Sequence, residues 1–473
     1  MNIFKDRFSE IKKASEPLYK SPKSVQETIE ILKISESGIF EVADGKYSKT
    51  YRFSDVNYAT RSEEEQESFF QRYCRCLNSF DCTFKITVNN KNKDMDVLRN
   101  EVMLKYRNDR FDKMRESYNR IIEEKILEGR QGIEQERYLT ITIERKNFEE
   151  AKAQFATIEA SIFRSFAELG SKLTPLTGNE RLKILHDYYR LGREDEFNFD
   201  IRQGRITGTD FRNEICNTRI KYHPDYFEDE GKVGRVLFIK KYPTYLSDRF
   251  FTELTFLPVR SVTSVDVVPV PKDLTMKMLQ KKYLGIESDI IKQQRTRNRN
   301  NDFSSDISYA TRQKKKDIEE IMNNVRENDE SLYYVSVTMI VMADDRDELQ
   351  SICETVDSIA KGAGCAVDTC MYKQREAVNT TLPIGVRQIE TMRTMLTQSL
   401  AVLMPFNVQE LCDRNGIYYG VNQISKNIIV GNRKKLLNGN GFIFGVSGAG
   451  KSFQAKMEMG SVLLSTDDNV IAV

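Results

Sequence analysis

No stretch of this chain approaches the roughly 20 apolar residues that span a bilayer. The longest candidate, Val335 to Ala343, already contains Ser336 and Thr338. The amino terminus, Met1-Asn2-Ile3-Phe4-Lys5-Asp6-Arg7, has no apolar core for export. Charge of one sign is lacking as well: 72 basic against 70 acidic side chains leave a formal net charge of +2. Such balance creates no long-range pull toward nucleic acid or anionic lipid, so any contact of that kind must be a local patch. There are 2 histidines, His186 and His223, and neither has a second ligand at metal spacing, which favours packing over metal binding. The 8 cysteines contain no repeated pair at metal-ligand spacing and read as reduced thiols. These absences predict a cytosolic protein, which a partner would have to hold at any membrane where it works.

What is present is ample. With 473 residues, 40% hydrophobic and 30% charged, the chain has room for two or three soluble domains, each with its own core. Ile29 to Phe53 reads as a hairpin about the turn Ala43-Asp44-Gly45. A helix follows over Glu63 to Leu77, then a strand with Phe84, Ile86 and Val88 on one face. Asp96 to Gly129 is highly charged, with Phe111, Met114, Tyr118 and Ile121 at helical spacing; it predicts one long helix docking lightly on its own domain. Two later stretches look alike. Tyr138 to Ile143 and Tyr333 to Met342 are each a strand, followed by an amphipathic helix and a glycine stop, which predicts two α+β layers of related build.

Between them lies a turn-rich region with apolar alternation through Phe251, Leu254, Phe256, Val262, Val265 and Val267. Lys292 to Lys316 is polar and basic but lacks interleaved aromatics, so it reads as a flexible connection into a charged helix rather than a nucleic-acid contact. After Leu382-Pro383-Ile384-Gly385 a helix carrying Ile389, Met392, Leu396, Leu400 and Leu403 is expected, ended by Pro405. Gly416 to Gly420 and Asn427 to Gly431 read as a hairpin. The fold expected is therefore an α+β N-terminal region of one or two subdomains over residues 1–330. A strand-helix-strand layer with a connecting helix follows over 331–415, and the beginning of an α/β P-loop (RecA-like) domain over 416–473.

Gly445-Val446-Ser447-Gly448-Ala449-Gly450-Lys451-Ser452 fits the pattern Gly, four residues, Gly-Lys-Ser. Glycines let the backbone turn tightly, so that successive N–H groups point at phosphate oxygens. The helix that follows adds unpaired N–H donors and a positive dipole end. Lys451 is expected to reach the β and γ phosphates of ATP, and the Ser452 hydroxyl to ligate Mg²⁺, with Phe453 completing the nucleotide contacts. The bare pattern arises by chance in a chain this long roughly 1 time in 50, so context carries weight. Gly441-Phe442-Ile443-Phe444 fits a buried parallel strand entering the loop, and Phe453, Met457 and Leu464 recur on one face of a helix leaving it. A second strand is expected from Asn469. Only 21 residues follow Ser452, so the sequence is expected to be part of a longer protein, inactive in turnover by itself.

Together, Asn438 to Ser452, Leu382-Pro383-Ile384-Gly385 and Leu403-Met404-Pro405-Phe406 resemble the VirB-four-like conjugative-transfer ATPases of type IV secretion systems, with their TraC and TraE relatives. Members from Gram-positive mobile elements are the nearest in kind. The resemblance implies a HerA/FtsK-type RecA-like motor, with Lys451 as its catalytic lysine, behind a domain that docks on the secretion channel. It further implies ATP and Mg²⁺ as cofactors, channel proteins at the cytoplasmic membrane face as partners, and a hexamer that supports transfer of DNA or protein. The family's acidic strand-end residues, water-positioning residues and arginine finger have no counterpart in this sequence. Two other readings remain: a DNA translocase or coupling-type ATPase, and a docking scaffold that nucleotide merely stabilises.

Overall fold

The computed structural model describes residues 22, 24–92, 99, 102–128, 133–243, 245–299, 309–327, 329–408, 411, 413, 416–422, 427–436 and 438–471. Among these the protein is mixed α+β, with thirteen α-helices and a 13-stranded sheet whose pairings are all antiparallel.

Two successive units of one plan build that sheet. In the first, β1 (Lys33–Ile34), β2 (Ile39–Ala43) and β3 (Lys46–Phe53) form a meander, and α1 (Glu63–Asn78) leads to β4 (Thr83–Asn92). An excursion carrying α2 (Asp112–Glu128) then reaches β5 (Ile133–Glu144), and α3 (Phe148–Leu169) returns the chain to β6 (Leu173–Pro175). Three helices connect the units: α4 (Gly178–Tyr189), α5 (Ile201–Thr207) and α6 (Arg212–Ile215). The plan then recurs with β7 (Ile220–Tyr222), β8 (Phe227–Asp229), β9 (Lys232–Lys241), α7 (Arg249–Thr255) and β10 (Ser261–Val270). A second excursion holds α8 (Lys272–Arg299) and α9 (Tyr309–Glu327), followed by β11 (Leu332–Ala343), α10 (Arg346–Gly362) and β12 (Ala366–Thr369).

Pairing repeats along with element order. β3 takes β2, β5 and β6, while β9 takes β8, β11 and β12. β4 lies on β5 as β10 lies on β11. The two units meet where β4 and β10 run antiparallel, which relates them by an approximate twofold axis through the middle of the sheet. Even the caps correspond: Asn147 accepts from the Glu150 N–H to start α3, and Asp345 accepts from the Glu348 N–H to start α10. β11 begins just past residue 330 and pairs with both β10 and β9, so the sheet runs on through that position.

Alternation along the strands gives the sheet two different faces. Tyr47, Tyr51 and Phe53 of β3, Phe84 and Ile86 of β4, and Val335, Val337 and Met339 of β11 point into one large core, covered by α1, α3, α7 and α10. The opposite face carries Ser48, Thr50, Thr87, Thr140, Thr142 and Ser264, all buried. Buried hydroxyls need partners. For three of them the segment Leu382–Gly385 provides one: Pro383 O accepts from Thr50 Oγ1, Ile384 O from Ser48 Oγ, and Gly385 O from Thr142 Oγ1, while Thr87 and Ser264 pair with each other and Thr381 O accepts from Ser264 Oγ. Arg181 of α4, 3% exposed, joins the same group through Ser48 O, Pro383 O and Ile384 O, with its guanidinium 3.9 Å from the Phe40 ring centroid.

Four expectations are corrected. The long helix over Asp96 to Gly129 is shortened to α2, residues 103–111 being irregular and 93–98, 100, 101 and 129 lying outside the described residues. Of the connection expected over Lys292 to Lys316, Lys292 to Arg299 is the last part of α8, residues 300–308 lie outside the described residues, and Arg312 to Lys316 lies in the charged helix α9. The helix expected after Gly385 is β13 (Arg393–Leu396) and the short α12 (Thr397–Ala401), because Arg393–Leu396 hydrogen-bonds to the start of β11. A tertiary partner outweighs helical periodicity there. Finally, Phe251, Leu254 and Phe256, read as part of an alternating run, belong to α7 and its C-cap.

Residues 411–471 hold a smaller unit, the hairpin of β14 (Ile417–Val421) and β15 (Ile428–Gly431) followed by α13 (Lys451–Ser465). It does not stand apart. The first excursion lies against it, with Val102, Tyr118 and Ile122 packed on Tyr418, Ile428 and Val430.

Candidate phosphate-binding site

Helix α13 opens at Lys451, and its N-cap is Gly450 in the left-handed conformation, φ 85° and ψ 12°, with no side chain capping the helix. The first-turn N–H groups are therefore left for an external acceptor. Gly448 is also left-handed, at φ 81°. Both positions would strain any residue with a Cβ. The loop closes on itself through the Ala449 N–H donating to Val446 O at 3.2 Å, and the Gln454 N–H donates to Gly450 O at 2.9 Å to start the helical ladder. Gly445 is tight for a different reason, since a Cβ there would sit 3.3 Å from Ala449 Cβ and 3.3 Å from Lys451 Cγ.

Lys451 curls back over this turn. Its Nζ donates to Gly445 O and Val446 O, both at 2.8 Å, which centres the ammonium on the concave side of the loop. A phosphate oxygen arriving there would find the charge already in place and would need to displace two carbonyl contacts. Gly445, Val446, Ser447, Gly448, Ala449, Gly450, Ser452 and Phe453 are exposed, Lys451 partly so. The nine residues named from the sequence are thus gathered in one turn and the start of one helix. Ser452, second in that helix, offers a free-standing hydroxyl oxygen of the hard type Mg²⁺ prefers. Among the described residues there is no group of three or more His, Cys, Asp or Glu able to hold a metal on its own.

The approach to the loop departs from expectation. Gly441–Phe444 is not a strand, and Phe442 and Phe444 are 83% and 87% exposed, their rings stacked at 5.8 Å. A strand is defined by hydrogen-bonded neighbours, and no strand lies alongside this segment among the described residues. For the same reason the run from Asn469 is irregular up to Ile471; the last two residues lie outside the described set.

Three supports of the loop carry no sequence signal, being brought together only by folding. Glu458 of α13 accepts from Arg433 at 2.6 Å and from the Tyr419 hydroxyl at 3.1 Å, tying the helix to the hairpin. Arg433 also lies against Gly441, where a Cβ would come 3.0 Å from its Nη1. At the far end of α13, Arg115 Nε donates to Leu464 O at 3.1 Å, and Arg107 donates to Ser465 O and Thr466 O.

No protein-family model matches this sequence, and no curated protein matches it. No helix among the described residues is long and apolar enough to cross a membrane.

Proposed function

We propose that residues 445–452 bind the phosphate tail of ATP and that the protein serves as an energy-supplying ATPase of the conjugative-transfer, type IV secretion class. The observation that carries the nucleotide reading is the placement of Lys451 Nζ over the loop at the uncapped start of α13. Lys451 would meet the terminal phosphates as a point charge, the N–H groups of residues 448–452 would neutralise their oxygens, and Ser452 would supply one oxygen ligand to Mg²⁺. The RecA-like assignment of the domain belongs to the same proposal, supported by the loop-to-helix order.

The secretion reading rests on the motif resemblance and on architecture. A large paired-unit sheet precedes a small phosphate-loop unit, which suits a channel-docking part followed by a motor. In that role the protein would sit at the cytoplasmic membrane face as a hexamer, with channel proteins as partners and DNA or protein as the transferred substrate. Fluorescent-ATP titration tests the first step. Saturable, Mg²⁺-dependent binding is expected, with at least tenfold loss in Lys451→Ala. Absence of binding in the parent protein, or equal binding by the variant, would end the ATPase reading and leave the docking scaffold.

A further inference from the structure

At one end of the sheet β4 stops short of its neighbours. Thr83, its first residue, lies opposite Thr142 of β5, and Phe84 lies opposite Val267 of β10. β5 runs on to Glu144 and β10 to Val270, so past Thr83 these two strands have no strand between them. The notch forms part of a cavity of about 550 Å³, a size that suits a small molecule. Residues 81–85, the ends of β5 and β10, Gln154 of α3 and the segment 385–387 line it.

The segment 385–387 is fixed in place. Gly385 lies so close to the sheet that a Cβ would fall 2.6 Å from Ser48 Cβ, and Lys85 Nζ donates to Val386 O at 3.0 Å. Arg387 Nε donates to Asp266 Oδ2 at 3.1 Å, and Asp266 is buried. The guanidinium is thus held through one nitrogen. Its Nη1 and Nη2 have no acceptor among the described residues, and the side chain is 30% exposed. Such a fork fits two oxygens of an oxyanion. Two further cations line the same cavity. Arg145 is exposed, with Nη1 on Glu144 O at 2.7 Å, and Lys46 Nζ stands 3.3 Å from the Glu144 carboxylate. That carboxylate is 79% exposed, so the pair holds Lys46 only weakly.

We propose that this cavity binds a small phosphate ester that carries hydroxyl groups. A carboxylate would be satisfied by the Arg387 fork alone. A phosphate group presents three oxygens, enough to engage Arg387, Arg145 and Lys46 together. Acceptors for the hydroxyl groups line the cavity as well: the exposed Asp81 carboxylate, and Gln154 Oε1, which is buried with no donor among the described residues. An unpaired buried acceptor costs free energy that a ligand hydroxyl would recover. The proposal does not depend on whether residues 445–452 bind nucleotide.

Isothermal titration calorimetry with glycerol 3-phosphate is the test. Saturable binding is expected, unchanged in Lys451→Ala and tighter than that of inorganic phosphate, which brings no hydroxyl-bearing carbon chain. Arg387→Lys keeps a cation beside Asp266 but removes the fork, and should weaken binding about tenfold. Lys46→Gln combined with Arg145→Gln leaves that buried pair untouched and should weaken it by about the same factor. The proposal is overturned by any of four results: no binding in the parent protein, binding lost in Lys451→Ala, inorganic phosphate bound as tightly as the ester, or parent-like binding by either cavity variant.

Discussion

Lys85 of β4 stands directly opposite Asp266 of β10, on the strand pair that joins the two units of the sheet. Both are buried, at 2% and 3% exposure. Lys85 Nζ donates to Thr380 O and to Val386 O, and Asp266 accepts from Arg387 Nε at 3.1 Å. One junction thus pins α11 (Gln374–Thr381) and the segment after it to the sheet centre. Replacing Lys85 with Met leaves those carbonyls without their donor and Asp266 with one cation fewer. We expect a loss of about 3 kcal/mol in urea unfolding; a change below about 0.5 kcal/mol would contradict this account of the junction.

Arg115 is 1% exposed and is gripped by Asp109 and Asp112 while it reaches Leu464 O. Arg115→Ala should release the C-terminal end of α13 and leave two carboxylates facing each other. Hydrogen exchange should accelerate across residues 451–465, while β4 and β5 keep their protection. Uniform loss of protection would mean that the excursion is part of the sheet's own stability.

Burial pushes the Asp229 carboxyl up to about 7, against the opposing hydrogen bond from Asn217 at 2.6 Å. A folded-state value above the unfolded one near 3.8 means that the native protein holds the proton more tightly. The contribution to stability is complete below about pH 4 and is lost as pH rises toward 7, by on the order of 2–4 kcal/mol. Asp229→Asn keeps an acceptor for Asn217 and should flatten that part of the curve. Chemical denaturation at pH 4.5, 6 and 7.5 checks it; parallel curves for parent and variant would refute the assignment.

Gly385 has φ 95°, and a Cβ there would lie 2.6 Å from Ser48 Cβ and 2.6 Å from Thr142 Oγ1. Gly385→Ala therefore combines backbone strain with a clash against the sheet, and should cost more than about 2 kcal/mol. A loss of stability below about 0.5 kcal/mol in urea unfolding would show that this close approach is not needed.

Local patterns were readable where the chain makes its own case. The Asp44-Gly45 turn, the central strands β5 and β11, and the capped helices α3 and α10 follow from period, turn chemistry and N-caps within a few residues. Leu396, Leu400 and Leu403 misled because helical spacing is only a local preference, and β11 offered Arg393–Leu396 a hydrogen-bonded edge. Phe442 and Phe444 misled in the opposite sense, since an apolar run becomes a strand only beside another.

By itself the sequence determined the turn before α13: the left-handed positions of Gly448 and Gly450 and the reach of Lys451 Nζ to Gly445 O and Val446 O need only eight consecutive residues. Tertiary structure alone decided that β4 meets β10, that Arg115 holds the end of α13, and that Arg393–Leu396 pairs with β11. Those contacts join residues far apart in the chain, and their stability comes from burial and pairing that no short window of sequence contains.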